Sequence, residues 1–170
     1  MTVSTASPSA ATFAAIFREE HRTVRDLLLE LIDAFEDRDL PRANVLLTRI
    51  ATVTGPHFRY EEESLYPALV PIFGADYVEK LLDDHDGAIA SARRLVELAG
   101  KRSLGVGDLA EAVRLVRGIL PHVSDCEGLT IMVEILPDEQ VETMLETREN
   151  ANADGLDLLT WAAAVRARPS

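Results

Sequence analysis

His57 and Glu61 stand one helical turn apart in the stretch GPHFRYEEESLYPAL, residues 55–69. Residues i and i+4 of a helix project about 40° apart, so the imidazole and the carboxylate face one direction. A nitrogen ligand and an oxygen ligand on one inward face are what a metal site in a helical bundle requires, and a carboxylate can bridge two ions. The chain has three further histidines, His21, His85 and His122, each in its own stretch of helical periodicity and each beside an apolar stripe. His21 lies with Phe17, Val24 and Leu28, and His85 with Val78, Leu81, Leu82 and Ile89. His57 lines up with Ile50 and Val53, and His122 with Leu115 and Ile119. A single histidine on such a face is most simply a satisfied core residue. Four buried rings without partners cost about 1–3 kcal/mol each, and a metal centre supplies a partner for all of them. Glu62 and Glu63 turn away from the line of His57 and read as a solvated face.

A second stretch, LPHVSDCEG, echoes the first: both histidines follow a proline, Pro56 or Pro121. Each proline removes a helical amide at a cost of about 3 kcal/mol, so the pair reads as local kinks that aim the histidines. The acidic partner of His122 is less regular. Position i+4 is Cys126, Asp125 is i+3 and Glu127 is i+5. In a regular helix an i+5 side chain is rotated by about 140°. Glu127 reaches inward only if the helix widens, as in a π-type turn. Cys126 reads either as a small buried hydrophobe or as a redox-active thiol or ligand near the metals.

The elements that must position these residues are helices. Apolar residues recur with helical period from Ala10 to Arg38, from about 41 to 69, from 75 to 99 and from Asp108 to about Leu136. Pro41, Gly100 and Pro137 punctuate them, and Asp108 is the expected N-cap of the fourth. No alternating run of β-branched or aromatic residues predicts a sheet. The expected fold is all-α: an up-down-up-down four-helix bundle with extra short C-terminal helices at 138–148 and 156–167, split by the NANADG loop. The expected organisation is one domain over 1–170, with the bundle at 10–136 and a C-terminal helical extension at 137–170. The extension either caps the bundle and lines a substrate pocket or shields a surface. Tyr60, Tyr66 and Trp161 read as packing residues.

The formal net charge of −12 argues against nucleic acid and anionic membranes as partners and suits a protein that handles cations. One cysteine excludes an internal disulfide and fits a reducing, cytoplasmic setting. Neither a signal peptide nor a membrane-spanning run is expected.

The pattern of His21, His57-x3-Glu61 followed by LYPAL, His85, and His122-x4-Glu127 resembles the hemerythrin family, or HHE cation-binding domain. The resemblance implies two bridged, non-haem iron ions. His21 and His57 would hold one, His85 and His122 the other, and Glu61 and Glu127 would bridge them. The family itself uses the five-residue spacing seen between His122 and Glu127. The same donor types also accept manganese or zinc. In oxygen-carrying members a further histidine occupies the position of Ile89. Its absence leaves a metal position open and favours reaction over reversible carriage. The expected function is binding and activation of dioxygen or peroxide, as an oxidase or oxygenase acting on a small molecule. The alternative is an oxygen or iron sensor or store without turnover. A haem site using two of the histidines is disfavoured by the two carboxylates that accompany the four rings.

Overall fold

The structure is a computed structural model that describes residues 7–168. Residues 1–6 and 169–170, which include the start of the segment read as lacking a signal peptide, lie outside the described residues. The described chain is helical and contains no strand.

Helix α1 spans Pro8–Glu36, with Pro8 in its first turn and the Ser7 hydroxyl accepting the Ala10 amide at 3.1 Å. Helix α2 spans Leu40–Tyr60 and begins on the Asp39 side chain. It runs into a π-helical turn, Glu61–Leu65, and then into α3, Tyr66–Phe73. The widened turn has a local cause. Pro67 has no N–H for the carbonyl of Glu63, so the α-helical ladder is already broken there, and the turn opens to i→i+5 bonding. Helix α4 spans Ala75–Ala99 and α5 spans Val106–Glu127. The fourth long helix is thus shorter than its apolar periodicity predicts. It ends before Gly128, and a separate turn of helix, α6 (Thr130–Val133), follows. Its N-cap is Gly105, whose amide is held by Asp108 from within the first turn.

The extension comprises α7 (Asp138–Asp154) and α8 (Leu158–Ala164). Helix α7 continues through NANAD, a run whose asparagines favour loops, because Ala151 is buried in the fold. It stops at Gly155, whose φ of 63° is the left-handed conformation glycine accepts most easily. Helix α7 packs on α1 and α2, and α8 on α2 and α4.

The long helices enclose two apolar clusters with a polar layer between them. One contains Val24, Leu28, Leu31, Ile50, Leu95 and Val116. The other contains Phe13, Phe17, Tyr60, Leu65, Leu81 and Cys126. On α1, His21 falls between Phe17 of the second cluster and Val24 of the first. On α2, His57 falls between Ile50 and Tyr60. A third cluster, Phe58, Ala88, Ile89, Leu158, Trp161 and Ala162, seats α8 on the bundle. Trp161 is a packing anchor, 1 % exposed. No helix of the described residues is long and apolar enough to cross a membrane.

Candidate metal centre

The four histidines and Glu61 meet in the polar layer, all of them buried. They form two groups that share one carboxylate. His21, His57 and Glu61 bring their donor atoms within 4.8 Å of one another, and so do Glu61, His85 and His122. Glu61 Oε1 lies 3.3 Å from His57 Nε2 and 3.9 Å from His21 Nε2, while Oε2 lies 3.1 Å from His85 Nε2. The halves repeat one geometry. The His21 and His57 ring centres are 4.6 Å apart at 74°, and those of His85 and His122 are 4.8 Å apart at 74°.

Each ring is aimed by a second partner. His21 Nδ1 donates to the Phe17 carbonyl at 2.8 Å. His57 Nδ1 donates to Glu20 Oε2 at 2.8 Å, and the Tyr60 hydroxyl donates to that same oxygen at 2.6 Å. His85 Nδ1 donates to Glu62 Oε1 at 2.8 Å. These bonds turn Nε2 of each ring toward Glu61, the arrangement in which outer carboxylates and carbonyls orient metal-binding histidines. His122 differs. Its Nδ1 is buried with no hydrogen-bond partner, and Asp84 Oδ2 stands 3.6 Å away.

Two of these outer groups went unrecognised in the sequence. Glu62, read there as solvated, is half-buried in the structure and touches His85. Glu20 sits beside His21 in sequence yet serves His57. Both are gripped from the extension. Arg148 Nε on α7 donates to Glu20 Oε1 at 2.6 Å. Arg166, just beyond α8, donates to both oxygens of Glu62, at 2.8 and 2.9 Å, and lies over the Trp161 ring at 5.7 Å. The extension therefore does more than cover a surface: it supplies an arginine to each half of the centre.

Glu127 is not brought to this layer. Helix α5 keeps α-helical geometry to its end at Glu127, so the i+5 residue stays rotated away from His122. The π-type turn that would have swung it inward occurs in the other helix, at Glu61. Cys126, at i+4, occupies the inward position: its thiol donates to Glu61 Oε1 at 2.9 Å and is fully buried. Ile89 belongs to the apolar cluster beneath α8, with Phe58 and Trp161.

The electrostatics follow from the contacts. Burial opposes charge on His57, but Glu61 and Glu20 overcome it and lift its pKa to about 10. His21, buried and beside that cation, is pushed down to about 4. The other half repeats the contrast. His85 is raised against its burial by Glu61 and Glu62, and His122 is lowered by burial and by His85. Glu61 is held well below the carboxylate range despite its burial, by His57 and His85. Burial and the Glu61 charge hold the Cys126 thiol well above its usual value.

The residues fit a metal. Four imidazoles around a shared carboxylate are borderline-soft and hard donors suited to divalent first-row ions, and His122 carries a buried nitrogen that the protein leaves without a hydrogen bond. Three spaces reach the layer, the smallest of them about 10 Å³ and lined by His21, His57 and His122. A groove of about 330 Å³ between α4 and α5 has His122 among its lining, with Lys80, Asp84, Arg114 and Asp125 along it. An apolar cavity of about 40 Å³ touches His122 from the other side, walled by Val24, Phe58, Ala92 and Val123.

No curated relative and no solved structure matches the chain. The family model described as hemerythrin HHE cation binding domain matches residues 12–129, well over half of the chain and a stretch that includes all four histidines. With that match and a shared-carboxylate histidine cluster at its core, the chain belongs to the hemerythrin HHE cation-binding family.

Proposed function

We propose that the chain is a non-haem di-iron protein that binds and activates dioxygen or peroxide. The observation that carries this reading is the sharing of Glu61 between two histidine pairs. His21 and His57 would hold one ion, His85 and His122 the other, and Glu61 would join them. Bound iron would supply the electrons for reaction with dioxygen or peroxide. The protein's own part is to orient and to exclude. Glu20 and Glu62 fix the faces of His57 and His85. Phe58, stacked on His85 at 3.7 Å, keeps water from that ring. The 40 Å³ cavity is apolar and small, which favours a diatomic gas over an organic substrate on that side. The larger polar groove suits peroxide, an entering cation or a small polar substrate. Metal analysis after anaerobic loading with ferrous iron should find two ions per chain, and near-ultraviolet charge-transfer bands should appear on exposure to air. One ion per chain at saturation would overturn the two-ion reading, and a Soret band would replace it with haem.

Protons compete with the metal, and the sign can be worked out for each half. The folded pKa of His57, about 10, lies above its usual 6.5, so its stabilising charge is complete below 6.5 and lost as pH rises toward about 10. His21, at about 4, has the opposite sign: its neutral burial costs stability as pH falls from 6.5 to about 4. The metal-free chain should therefore be most stable near neutrality and weaken on both sides. Metal binding expels the His57 proton, so the rise in Tm on adding metal should keep growing from neutrality toward about pH 10. A metal-induced Tm shift that is flat across that range would remove His57 from the ligand set.

Arg166→Ala tests the outer carboxylate. It frees Glu62 and so loosens His85, and should lower affinity for the second ion by about 10–100-fold. Chelator competition measures this directly, and an unchanged affinity would make the arginine a stability element alone.

A further inference from the structure

We propose that the groove between α4 and α5 is the port by which peroxide reaches the metal centre, held open by Gly87 and Gly118 and ending on His122. The inference rests on the reading of the centre given above and names the side from which a polar oxidant enters.

Two glycines stand where a helix is weakened by them. Gly87 lies inside α4 and Gly118 inside α5, and a glycine in a helix interior is less stable there than alanine. Neither has a positive φ; among the described glycines only Gly74 and Gly155 do. Neither is pressed against another element, since a Cβ at either position would meet nothing within 4 Å. Gly55, by contrast, is held against the backbone at the start of α8. What Gly87 and Gly118 share is the groove, one on each wall. A side chain at either place would fill it, so the open width is what glycine preserves.

The independent observation that a ligand is received there is His122. Its ring lines the groove, is 8 % exposed and belongs with Glu61 and His85 to one of the two donor groups. Its Nδ1 is buried, has no hydrogen-bond partner among the described residues, and is turned to Asp84, another lining residue, at 3.6 Å. The groove thus ends on a ring that is also part of the centre. Along the way the lining carries charge of both signs, Lys80 and Arg114 against Asp83, Asp84 and Asp125. Neither a cation nor an anion is strongly drawn or repelled over the whole path, and a small molecule that both donates and accepts hydrogen bonds is accommodated throughout. Hydrogen peroxide is such a molecule. Ala88, Ile119 and His122 also line the apolar cavity of about 40 Å³, so they stand between the polar approach and the dry one.

The test uses the full chain loaded with ferrous iron and oxidised in air, with azide as a probe small enough for the groove. Azide binding to ferric iron changes the absorption spectrum, so stopped-flow spectra give its rate of arrival without any turnover. Gly118→Leu and Gly87→Leu put a branched side chain into the groove from opposite walls. Each should slow azide arrival by about 10-fold, equivalent to about 1.4 kcal/mol of added barrier, and should slow oxidation of the ferrous centre by hydrogen peroxide in step. Iron content should stay unchanged and Tm should not fall, because leucine suits a helix better than glycine. Dioxygen, which has the dry cavity, should react at its former rate. Thr143→Leu is the control: it enlarges a side chain in the groove beside α7, which none of the four histidines or Glu61 lines, and should alter no rate. The two glycines lie on different helices, so a folding defect in one variant leaves the other to decide. If azide and peroxide arrive at unchanged rates in the folded variants, or if dioxygen slows with them, the groove is not the polar port and the proposal is overturned, while the two-ion reading stands. If the unmodified chain takes up no iron, the two-ion reading fails and the proposal falls with it.

Discussion

Glu61→Ala is expected to empty both halves of the centre at once. Its two oxygens face opposite histidine pairs, Oε1 toward His57 and His21 and Oε2 toward His85, so on the two-ion reading this one side chain would serve both ions. Removing it should lower affinity by more than the roughly 100-fold that loss of an outer partner costs. By contrast, His21→Ala should weaken one ion and spare the other. The substitution also reaches the metal-free protein. Glu61, first among their neighbours, raises the pKa of both His57 and His85 against their burial. Breaking a buried ion pair by deleting one partner costs about 3–5 kcal/mol, softened here by Glu20 and Glu62, which still face the rings. Glu63→Ala is the control: Glu63 pairs with Arg59 at the surface, 44 % exposed, and its loss should change neither metal content nor Tm measurably. Equal metal loss from Glu61→Ala and Glu63→Ala would refute the assignment of Glu61 as the shared ligand.

Gly55→Ala should be nearly as damaging, although residue 55 touches no ligand. A Cβ at this position would sit 2.2 Å from the Leu156 carbonyl oxygen, 2.6 Å from the Asp157 carbonyl carbon and 2.8 Å from the Leu158 amide nitrogen. All three are backbone atoms, so no side chain can rotate aside. The start of α8 must lift, and Trp161 and Arg166 go with it. Overpacking costs typically about 1–3 kcal/mol, occasionally more; the upper end is expected here because the clash is with backbone on two elements. Trp161 is the only tryptophan, so its emission reports the event directly: a red shift in Gly55→Ala, accompanied by weaker binding of the ion held by His85. Gly87→Ala and Gly118→Ala should do the reverse. Each meets open space on a long helix, and each should stabilise by about 0.5–1 kcal/mol. Unaltered tryptophan emission and Tm in Gly55→Ala would mean that α8 does not need this close approach.

The bundle, and the meeting of the four histidines with Glu61, were legible in the sequence because they rest on local rules. Helical periodicity marks α1, α2, α4 and α5, and the i, i+4 relation sets His57 beside Glu61. Glu127 was carried by the family spacing, and that spacing needs a widened turn. Nothing in a one-dimensional reading says which of two similar helices widens. Pro67 supplies the physical reason that the turn falls after Tyr60, and α5 has no proline in the corresponding place beyond Cys126. The same turn explains the misreading of Glu62, whose direction was taken from a regular helix. Glu20, Arg148 and Arg166 carried no local signal at all. Their roles depend on partners 37, 128 and 104 residues away, and only tertiary packing joins them.

The grip of Arg148 and Arg166 on Glu20 and Glu62 also has a consequence in time. A ribosome makes this chain from residue 21 toward residue 166, so every histidine and Glu61 is synthesised before either arginine. During that interval Glu20 and Glu62 lack their restraint, and each is free to turn to solvent and leave its histidine unaimed. A nascent bundle that met a metal ion then would hold it loosely and exchange it readily. Only when α7 and α8 dock do the carboxylates lock and the rings take fixed directions. On the two-ion reading, the order of translation would thus delay tight metal capture until the last helices are in place.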